Sequence, residues 1–345
     1  MRTSDFDYNL PKELIAQEPV SIRDQSRLMI LDRQSTKITH RHFFQLIDFL
    51  YSGDVLVLND TRVLPARLYA YRIDTGGCYE FLLIQQLGHG LWKAIGKPSK
   101  RLRSGLRFKV GLENVNSMEL QILESHEDGV KIVRLSPEKA LESVGDVPLP
   151  PYIKSPIKEP LRYQTIYANI SGSVAAPTAG LHFTEDLLKS LDEKGIRLVF
   201  CTLHIGLDTF RPVKSEDPYK HVLHREYFSI GSKSAMEINA AHREGRRIVA
   251  VGTTVVRLLE QAALTCSNKG LDEISLMSDW ANLIILPGHK FRLVDALVTN
   301  FHLPRSTLLM MVSALAGRER ILSVYQEAIA QRYRFYSFGD AMFIL

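Results

Sequence analysis

Cysteine is scarce in this sequence, and the few residues that occur are scattered. The chain of 345 residues has three cysteines: Cys78, Cys201 and Cys266. No Cys-x-x-Cys pair occurs, which argues against a thiolate zinc site. His221 and His224 lie near Glu226, but no further spaced cluster supports a metal there. We therefore predict small buried thiols in a reducing cytosol and no metal site.

Long apolar runs and the common phosphate-binding loops are also missing. The most apolar stretch, TLLMMVSALAG at 307–317, is too short to span a bilayer. The opening MRTSDFDYNLPKEL mixes acids and bases and lacks the apolar region of a signal peptide. Neither G-x-G-x-x-G nor G-x-x-x-x-G-K-[ST] occurs, so nucleotide binding by those loops is disfavoured. The sequence thus predicts a cytoplasmic protein without membrane contact.

Length and hydrophobic patterning indicate two domains. A chain of 345 residues exceeds what one compact core usually holds. Segment 67–150 contains short apolar strands separated by Gly, Asn, Ser and Asp, a pattern typical of a small antiparallel barrel or sandwich. From about 160 onward strands alternate with helices, and NLIIL at 282–286 is one predicted strand. We predict an α/β core of 1–66 and 151–345, with a mixed, barrel-like sheet, and an inserted all-β barrel at 67–150.

Four polar clusters follow predicted strands or lie in loops. Because ligands bind beyond the carboxyl ends of strands in α/β sheets, each cluster is a candidate part of one site. The clusters are Asn59-Asp60-Thr61-Arg62; GSVAAPTAGLHFT at 172–184 with Pro177, Thr178, Gly180 and His182; CTLHIGLDTF with Thr202, His204 and Asp208; and VTNFHLPRST with Asn300, His302 and Arg305. Thr253 and Thr254 form a fifth candidate, at a strand-to-helix turn that could hold an anion.

Each cluster also has a purely structural interpretation. Asp60 and Thr61 could do no more than form a turn. His204 could be a hydrogen-bonded histidine of the core. Ser306 or Thr307 could be no more than a helix cap, and the turn Gly252-Thr253-Thr254 could be a plain N-cap. The small residues of 172–180 could serve tight packing of the chain rather than close approach to a substrate.

A basic segment occurs inside the predicted barrel. KPSKRLRSGLRFKV at 97–110 contains no acid, and its candidate nucleic-acid contacts are Lys97, Lys100, Arg101 and Arg103. Such a run is also typical of a solvated face. The net charge of +5 favours a polyanionic partner, although many basic proteins bind none.

Taken together, these motifs resemble the S-adenosylmethionine:tRNA ribosyltransferase-isomerase (QueA) family of queuosine biosynthesis. The matching stretches run in the family's order from residue 6 to residue 344. They are FDYNLPKELIAQEP, SRLMILDR, VLNDTRVLPARL, YQTIYA, GSVAAPTAGLHFT, CTLHIGLDTFRPV, GRRIVAVGTTVVRLLE, VDALVTNFHLPRSTLLMMVSALAG and YRFYSFGDAMFI.

The resemblance implies a reaction and its partners. Members of the family move the ribosyl part of S-adenosylmethionine onto the 7-aminomethyl-7-deazaguanine (preQ1) of tRNA, at the wobble position. The ribose becomes an epoxycyclopentane, giving epoxyqueuosine, and adenine and methionine leave. S-adenosylmethionine is then a consumed cosubstrate, and no other cofactor and no metal are expected. The resemblance also implies an α/β core interrupted by a small β-barrel, and we expect the protein to be a monomer.

The implied chemistry fits the residue types. The sulfonium acidifies the neighbouring C5′ protons, so a base could start elimination of adenine and an acid could assist its departure. We predict His182 and His204 as acid and base, without assigning which is which, because imidazole titrates near neutrality. Asp60 and Asp208 are predicted carboxylate partners. Arg62 and Arg305 are predicted to hold the methionine carboxylate or a phosphate.

Two other functions remain alternatives at this stage. An ordinary RNA methyltransferase would use the same cosubstrate, but it should show a glycine-rich loop after its first strand, and none occurs. A non-catalytic tRNA-binding protein would leave S-adenosylmethionine intact. The products therefore discriminate among the three functions.

Overall fold

The computed structural model describes residues 1–35, 37–111, 117–206, 213, 215–221, 223 and 225–345. The described residues form seventeen strands: β1 (Arg27–Leu31), β2 (Ile38–His42), β3 (Val55–Asn59), β4 (Thr61–Val63), β5 (Arg67–Arg72), β6 (Cys78–Gly88), β7 (Leu91–Lys97), β8 (Arg107–Val110), β9 (Met118–Ser125), β10 (Val130–Ser136), β11 (Ile170–Ser173), β12 (Arg197–Leu203), β13 (Glu226–Ile230), β14 (Ile248–Val251), β15 (Met277–Ala281), β16 (Ala296–Asn300) and β17 (Ala341–Ile344). The α-helices are α1 (Leu141–Val144), α2 (Glu185–Glu193), α3 (Ser232–Arg243), α4 (Thr253–Ser267), α5 (Thr307–Ala316) and α6 (Arg318–Ala330).

Nine strands form one mixed sheet. Their order is β15-β13-β12-β3-β14-β16-β17-β1-β2. The four neighbours β12, β3, β14 and β16 run parallel, which brings their carboxyl ends to one edge. β3 and β14 are buried at every position, as expected for strands of a parallel sheet covered on both faces. The mixed α/β core predicted from the sequence is confirmed.

The segment between β4 and β11 contains a closed six-stranded barrel. Its strand order is β10-β7-β6-β5-β8-β9. Along β6 the side chains alternate between the interior and the surface, with Phe81 and Leu83 fully buried. Phe81 packs edge-on against Phe108 of β8, with ring centroids 5.1 Å apart. The inserted all-β barrel is therefore confirmed, and of the two predicted forms it is the barrel rather than the sandwich.

The predicted strand at 282–286 is wrong. The structure places a strand just before it, β15, which pairs with β13 at the end of the large sheet. In β15 exposed Ser278 and Trp280 alternate with more buried residues, so this strand carries no apolar run that would reveal it. Ile285 and Leu286 are buried, but their backbone is not in a strand.

Two helices begin at side-chain caps, and a cap at Ser306 is one interpretation of its sequence. Thr184 caps α2 by accepting a hydrogen bond from the Leu187 amide at 3.2 Å. Ser306 caps α5 in the same way, accepting from the Leu309 amide at 3.1 Å. These caps fix where the loops that precede them end.

The contacts within the chain divide it into two compact units. The core unit comprises 1–61, 150–170 and 176–345, and the barrel unit comprises 62–149 and 171–175. The predicted domains are 1–66 with 151–345, and 67–150. That each of them folds independently stays a prediction.

Candidate active site

A pocket of the core unit lies where its parallel strands end. Ile205 follows β12, Gly252 follows β14, and 299–303 includes the end of β16, and all of these line the pocket. The cavity, its open mouth included, holds about 620 Å³, within the usual range for small-molecule sites. The strand-end location predicted from the sequence therefore coincides with a cavity.

The pocket wall combines apolar surface with hydroxyl groups. Among the described lining residues there is no Asp, Glu, Lys or Arg. Aliphatic hydroxyl groups come from six residues: Thr178, Thr253, Thr254, Thr299, Ser306 and Ser337. Aromatic rings come from Tyr152, Phe301 and Tyr336, and a single imidazole from His302. Such a wall suits a flat, neutral, hydrogen-bonding group.

The small-residue loop at 172–184 both lines the pocket and packs tightly against the rest of the core unit. Segment 176–179, which includes the predicted Pro177 and Thr178, lines the pocket. Gly180 does not line it. A Cβ at this position would lie 2.8 Å from Thr165 Cγ2 and would overlap the Tyr167 hydroxyl. Gly180 thus permits tight packing, while its neighbours face the cavity.

His182 lies behind the pocket, in a complete hydrogen-bond network. Asn300 Nδ2 donates to His182 Nε2 at 3.2 Å and to the Tyr336 carbonyl at 3.1 Å. His182 Nδ1 then carries the proton and donates to Ser26 Oγ at 2.7 Å. The Thr178 hydroxyl donates to Asn300 Oδ1 at 3.2 Å. Both ring nitrogens of His182 are therefore occupied, and the ring fixes the Asn300 amide that lines the cavity.

Burial keeps His182 neutral. The ring stacks on Phe43, with centroids 4.9 Å apart. Burial, helped by the cations Arg23 and Arg334, lowers the pKa of His182 to about 3. The catalytic role of His182 stays a prediction, and its surroundings favour a positioning role.

His302 lines the cavity itself. Its Nε2 lies 2.8 Å from the Thr299 hydroxyl, and its amide donates to the Tyr325 hydroxyl at 2.9 Å. Its Nδ1 has no hydrogen-bond partner among the described residues. Burial lowers the pKa of His302 to about 3, so the imidazole is neutral at pH 7. His302 combines access to the pocket with a free ring nitrogen.

A second polar cluster lies at the ends of β3 and β12. The Asn59 side chain donates to the Leu203 carbonyl and accepts from the Leu203 amide, both at 3.0 Å. The Thr202 hydroxyl donates to Asp60 Oδ1 at 2.6 Å, and burial raises the pKa of Asp60. His204 Nδ1 lies 2.8 Å from the Thr61 hydroxyl. These four predicted residues, Asn59, Asp60, Thr202 and His204, are thus brought together.

His204 resembles His302 in its environment. Its ring stacks on Tyr227 at 5.8 Å, and burial lowers its pKa. Its Nε2 has no partner in the described ranges. His204 does not line the pocket, but the next residue, Ile205, does.

Thr253 and Thr254 line the pocket as the first residues of α4. The helix begins at Gly252, whose φ of +90° favours glycine and which offers no side-chain cap. The buried Thr254 Oγ1 has no hydrogen-bond partner within the described chain. An unpaired hydroxyl in a cavity wall is available to a ligand.

The three remaining predicted site residues are Arg62, Arg305 and Asp208. Arg62 is exposed and belongs to the barrel unit. Arg305 is half-buried and pairs with Glu216 at 3.3 Å rather than lining the cavity. Asp208 lies outside the described residues.

Sequence reasoning missed Tyr152 and Tyr336. Tyr336 has a φ of +71°, which is rare for a bulky side chain, and its ring packs 4.8 Å from that of Tyr152. The available signal is the aromatic segment at 333–338, since aromatic side chains beside arginine either stack on bases or pack in a core. Tyr333 and Phe335 of that segment are buried, so most of it packs, whereas Tyr336 faces the cavity.

The four predicted tRNA contacts lie on the barrel unit. Lys97, Lys100, Arg101 and Arg103 are all exposed. Within the described chain none of them has an ion-pair partner, whereas the nearby Arg107 pairs with Glu119. These four cations are therefore available to an external anion.

Two further features concern metals and membranes. The described residues contain no group of three or more His, Cys, Asp or Glu side chains arranged to hold a metal ion. The described part of the chain also has no helix of the length and apolarity that crossing a membrane requires. The prediction of no metal stays a prediction.

The burial of His182 and His302 predicts how the free energy of unfolding depends on pH. Both pKa values fall from about 6.5 in the unfolded chain to about 3 in the folded protein. The unfolded state therefore binds more protons between these values, and stability falls as the pH drops below about 6.5. Each histidine should cost about 2 kcal/mol by pH 5.

Urea unfolding at pH 7 and pH 5 measures this effect. The His302→Gln variant should lose about 2 kcal/mol less than the unmodified chain over this interval, because glutamine does not titrate. An identical loss in both proteins would mean that His302 is not buried in its neutral form.

The fold and the pocket together define a class of protein. An α/β core with a small-molecule cavity at its strand ends, in one chain with a barrel that presents free cations, is typical of an enzyme acting on a small molecule and a polyanion. Comparison with known proteins identifies the family. A family model described as queuosine biosynthesis protein matches residues 3–344, and the chain belongs to this family.

Named relatives agree along the whole chain. An S-adenosylmethionine:tRNA ribosyltransferase-isomerase of Dehalococcoides mccartyi (strain CBDB1) is 52% identical over 100% of both chains. The enzyme of the same name from Acetivibrio thermocellus is 47% identical, also over 100% of both. The crystal structure of an S-adenosylmethionine tRNA ribosyltransferase from Thermotoga maritima is 38% identical, with a TM-score of 0.57, and covers 99% of this chain and 100% of that one.

Proposed function

We propose that the protein is an S-adenosylmethionine:tRNA ribosyltransferase-isomerase. It transfers and isomerises the ribosyl part of S-adenosylmethionine onto preQ1 at the tRNA wobble position, releasing adenine and methionine. The observation that carries this proposal is an uncharged aromatic and hydroxyl-lined pocket in a chain that matches enzymes of this name from end to end. S-adenosylmethionine is consumed, and the reaction needs no separate cofactor.

The adenosyl group occupies the pocket. Tyr336 and Tyr152 offer aromatic faces to a flat base, and stacking on such a face stabilises a base by roughly 1–3 kcal/mol. The free Thr254 hydroxyl and the Thr178 hydroxyl are hydrogen-bonding partners for the base or the ribose. The positive φ of Tyr336 supports this assignment, because strained backbone is retained where it positions functional groups.

His302 and His204 transfer the protons. In each, a threonine hydroxyl holds one ring nitrogen and leaves the other free, which a proton-transfer group requires. One removes a C5′ proton acidified by the sulfonium and becomes an imidazolium; this proton is the one that the departing adenine takes up, and the other ring forms a hydrogen bond to the adenine. The epoxide forms as methionine leaves. His182, with both nitrogens bonded, acts as a positioning residue through Asn300.

The tRNA backbone binds the basic segment of the barrel unit. Its four exposed cations lack ion-pair partners in the described ranges, so phosphates can pair with them without breaking internal contacts. The protein acts as a monomer in the cytoplasm, where its tRNA substrate is found. Light scattering that gives the 39.1 kDa of one chain would support the monomer, and a doubled mass would exclude it.

Replacing Lys100, Arg101 and Arg103 together by alanine should weaken tRNA binding, most strongly at low salt. Each lost phosphate contact lowers the salt slope of log K by roughly 0.7–0.9. Affinity for S-adenosylmethionine should not change, because its pocket belongs to the core unit. Fluorescence titration at several salt concentrations measures both quantities.

A matched control removes the same charge elsewhere. Lys233, Lys269 and Lys290 are exposed cations of the core unit, and their joint replacement by alanine should leave the slope nearly unchanged. Equal slopes for both triple variants would show that the basic segment is a solvated face.

Product analysis tests the proposed function. The chain, S-adenosylmethionine and preQ1-bearing tRNA are incubated, and the small molecules are separated by chromatography. Adenine and methionine should appear in equal amounts. S-adenosylhomocysteine would indicate a methyltransferase, and intact S-adenosylmethionine beside bound tRNA would indicate a non-catalytic binding protein.

A further inference from the structure

A second, smaller cavity of the core unit contains a buried cation. It is lined by Arg257 of α4, by Thr307 and Leu308 of α5, and by apolar side chains such as Leu283 and Met311. Arg257 is 4% exposed. A buried guanidinium in an otherwise apolar cavity is costly unless its donors are satisfied.

The donors of Arg257 are only partly satisfied. Its Nη1 donates to Glu226 Oε2, and its Nε donates to the Leu283 carbonyl at 3.3 Å. Its Nη2 is buried and has no hydrogen-bond partner among the described residues. Since a guanidinium can bind two carboxylates on different edges, the pairing with Glu226 leaves one edge open.

The first turn of α5 adds donors to the same cavity. Ser306 caps the Leu309 amide, whereas the amides of Thr307 and Leu308 have no partner in the described part of the chain. Both residues line the cavity. The start of a ten-residue helix carries a partial positive charge, so these donors also favour an anion.

The two cavities share their walls. Thr254 lines the main pocket, and Arg257 lies three residues further along the same face of α4, a rise of about 4.5 Å. On α5, Ser306 lines the main pocket, Thr307 lines the smaller cavity, and Leu308 lines both. The two cavities are therefore neighbours within the core unit, separated by about one helical turn along α4.

We propose that Arg257 and the first turn of α5 bind the α-carboxylate of the methionyl part of S-adenosylmethionine. The inference rests on the proposed function. Among its described lining residues the main pocket has no cation to pair with this carboxylate, whereas the adjoining cavity has a guanidinium with an open edge. Glu226 orients the guanidinium and balances its charge when the cavity is empty. The free methionine product presents the same carboxylate.

Equilibrium binding to two ligands tests the proposal. S-adenosylmethionine carries the carboxylate, and 5′-methylthioadenosine keeps the adenosyl and S-methyl groups but lacks the amino-acid chain and, with it, the sulfonium charge. The paired variant Arg257→Met/Glu226→Gln removes the cation without leaving a buried carboxylate unpaired. It should bind S-adenosylmethionine at least tenfold more weakly and 5′-methylthioadenosine within twofold of the unmodified chain.

A matched control changes another arginine–carboxylate pair of the core unit, in which the arginine is half-buried. Arg247 and Asp54 are bonded at 2.5 Å, and Arg247→Met/Asp54→Asn should leave both affinities unchanged. Equal weakening of both ligands by the Arg257 pair, or no weakening of S-adenosylmethionine, would overturn the proposal.

If the Arg257 variant does not fold, a binding measurement on the unmodified chain still tests the proposal. Decarboxylated S-adenosylmethionine keeps the sulfonium and the amine, and it should bind at least tenfold more weakly than S-adenosylmethionine. Equal binding would overturn the carboxylate assignment. Adenine release by the unmodified chain tests the proposed function separately, so the two can fail independently.

Discussion

Replacing His302 by glutamine should lower the rate constant for adenine release by roughly 10²–10⁴-fold, the usual loss for a missing general acid or base. Glutamine keeps an amide near the Thr299 hydroxyl and fills most of the ring's volume, but it cannot transfer a proton. Affinity for S-adenosylmethionine should change little, because the substitution affects the transition state rather than ground-state contacts. Single-turnover release of adenine, with binding measured in parallel, separates the two effects.

The control is the same substitution on the surface. His242 is exposed in the last turn of α3, and His242→Gln should keep full turnover. His182→Gln provides a second comparison, since a positioning residue should affect affinity and rate together. If His302→Gln retains near-normal turnover while His182→Gln abolishes it, His182 is the proton-transfer group predicted from the sequence.

Replacing Gly180 by alanine should destabilise the protein by about 1–3 kcal/mol, the usual cost of overpacking a core. The new methyl group would lie 2.8 Å from Thr165 Cγ2 and would overlap the Tyr167 hydroxyl. Tyr167 cannot turn away freely, because its ring packs against Phe183 and Phe200 at 6.4 and 5.7 Å. Urea unfolding measures the loss.

A companion substitution identifies the cause. The Tyr167 hydroxyl is buried and has no partner among the described residues, so Tyr167→Phe alone should be close to neutral. Combined with Gly180→Ala, it should recover part of the lost stability, which a double-mutant cycle reports. Gly88→Ala, where no atom lies within 4 Å, should cost little. An additive cycle would show that Gly180 is not held by packing against Tyr167.

The parts of the fold that follow from local pattern could be predicted from the sequence. Alternating apolar residues in 79–87 and 118–125 are typical of barrel strands, and the apolar run at 55–58 is typical of a buried strand. The rule that parallel strands end at one edge then placed Asn300 and Thr253 near each other. Both line the pocket.

The remaining features depend on contacts between distant parts of the chain. Strand β15 is stabilised by pairing with β13, which its own polar sequence does not reveal. The sequence marked His182 as a loop histidine, but Asn300, 118 residues away, occupies its second nitrogen. In the sequence Arg257 is a single charged residue of a predicted helix. Its burial and its unpaired Nη2 depend on residues far along the chain, so the residues next to it do not reveal them.

The most direct test follows the ribose carbons of the cosubstrate. S-adenosylmethionine labelled with ¹³C in the ribosyl ring is incubated with the protein and preQ1-bearing tRNA, and the tRNA is digested and analysed by mass spectrometry. All five labelled carbons should appear in one modified nucleoside of the tRNA, in equal amount to the adenine released. Label that stays in small molecules, or a tRNA that gains only a methyl group from the cosubstrate, would contradict the ribosyl transfer.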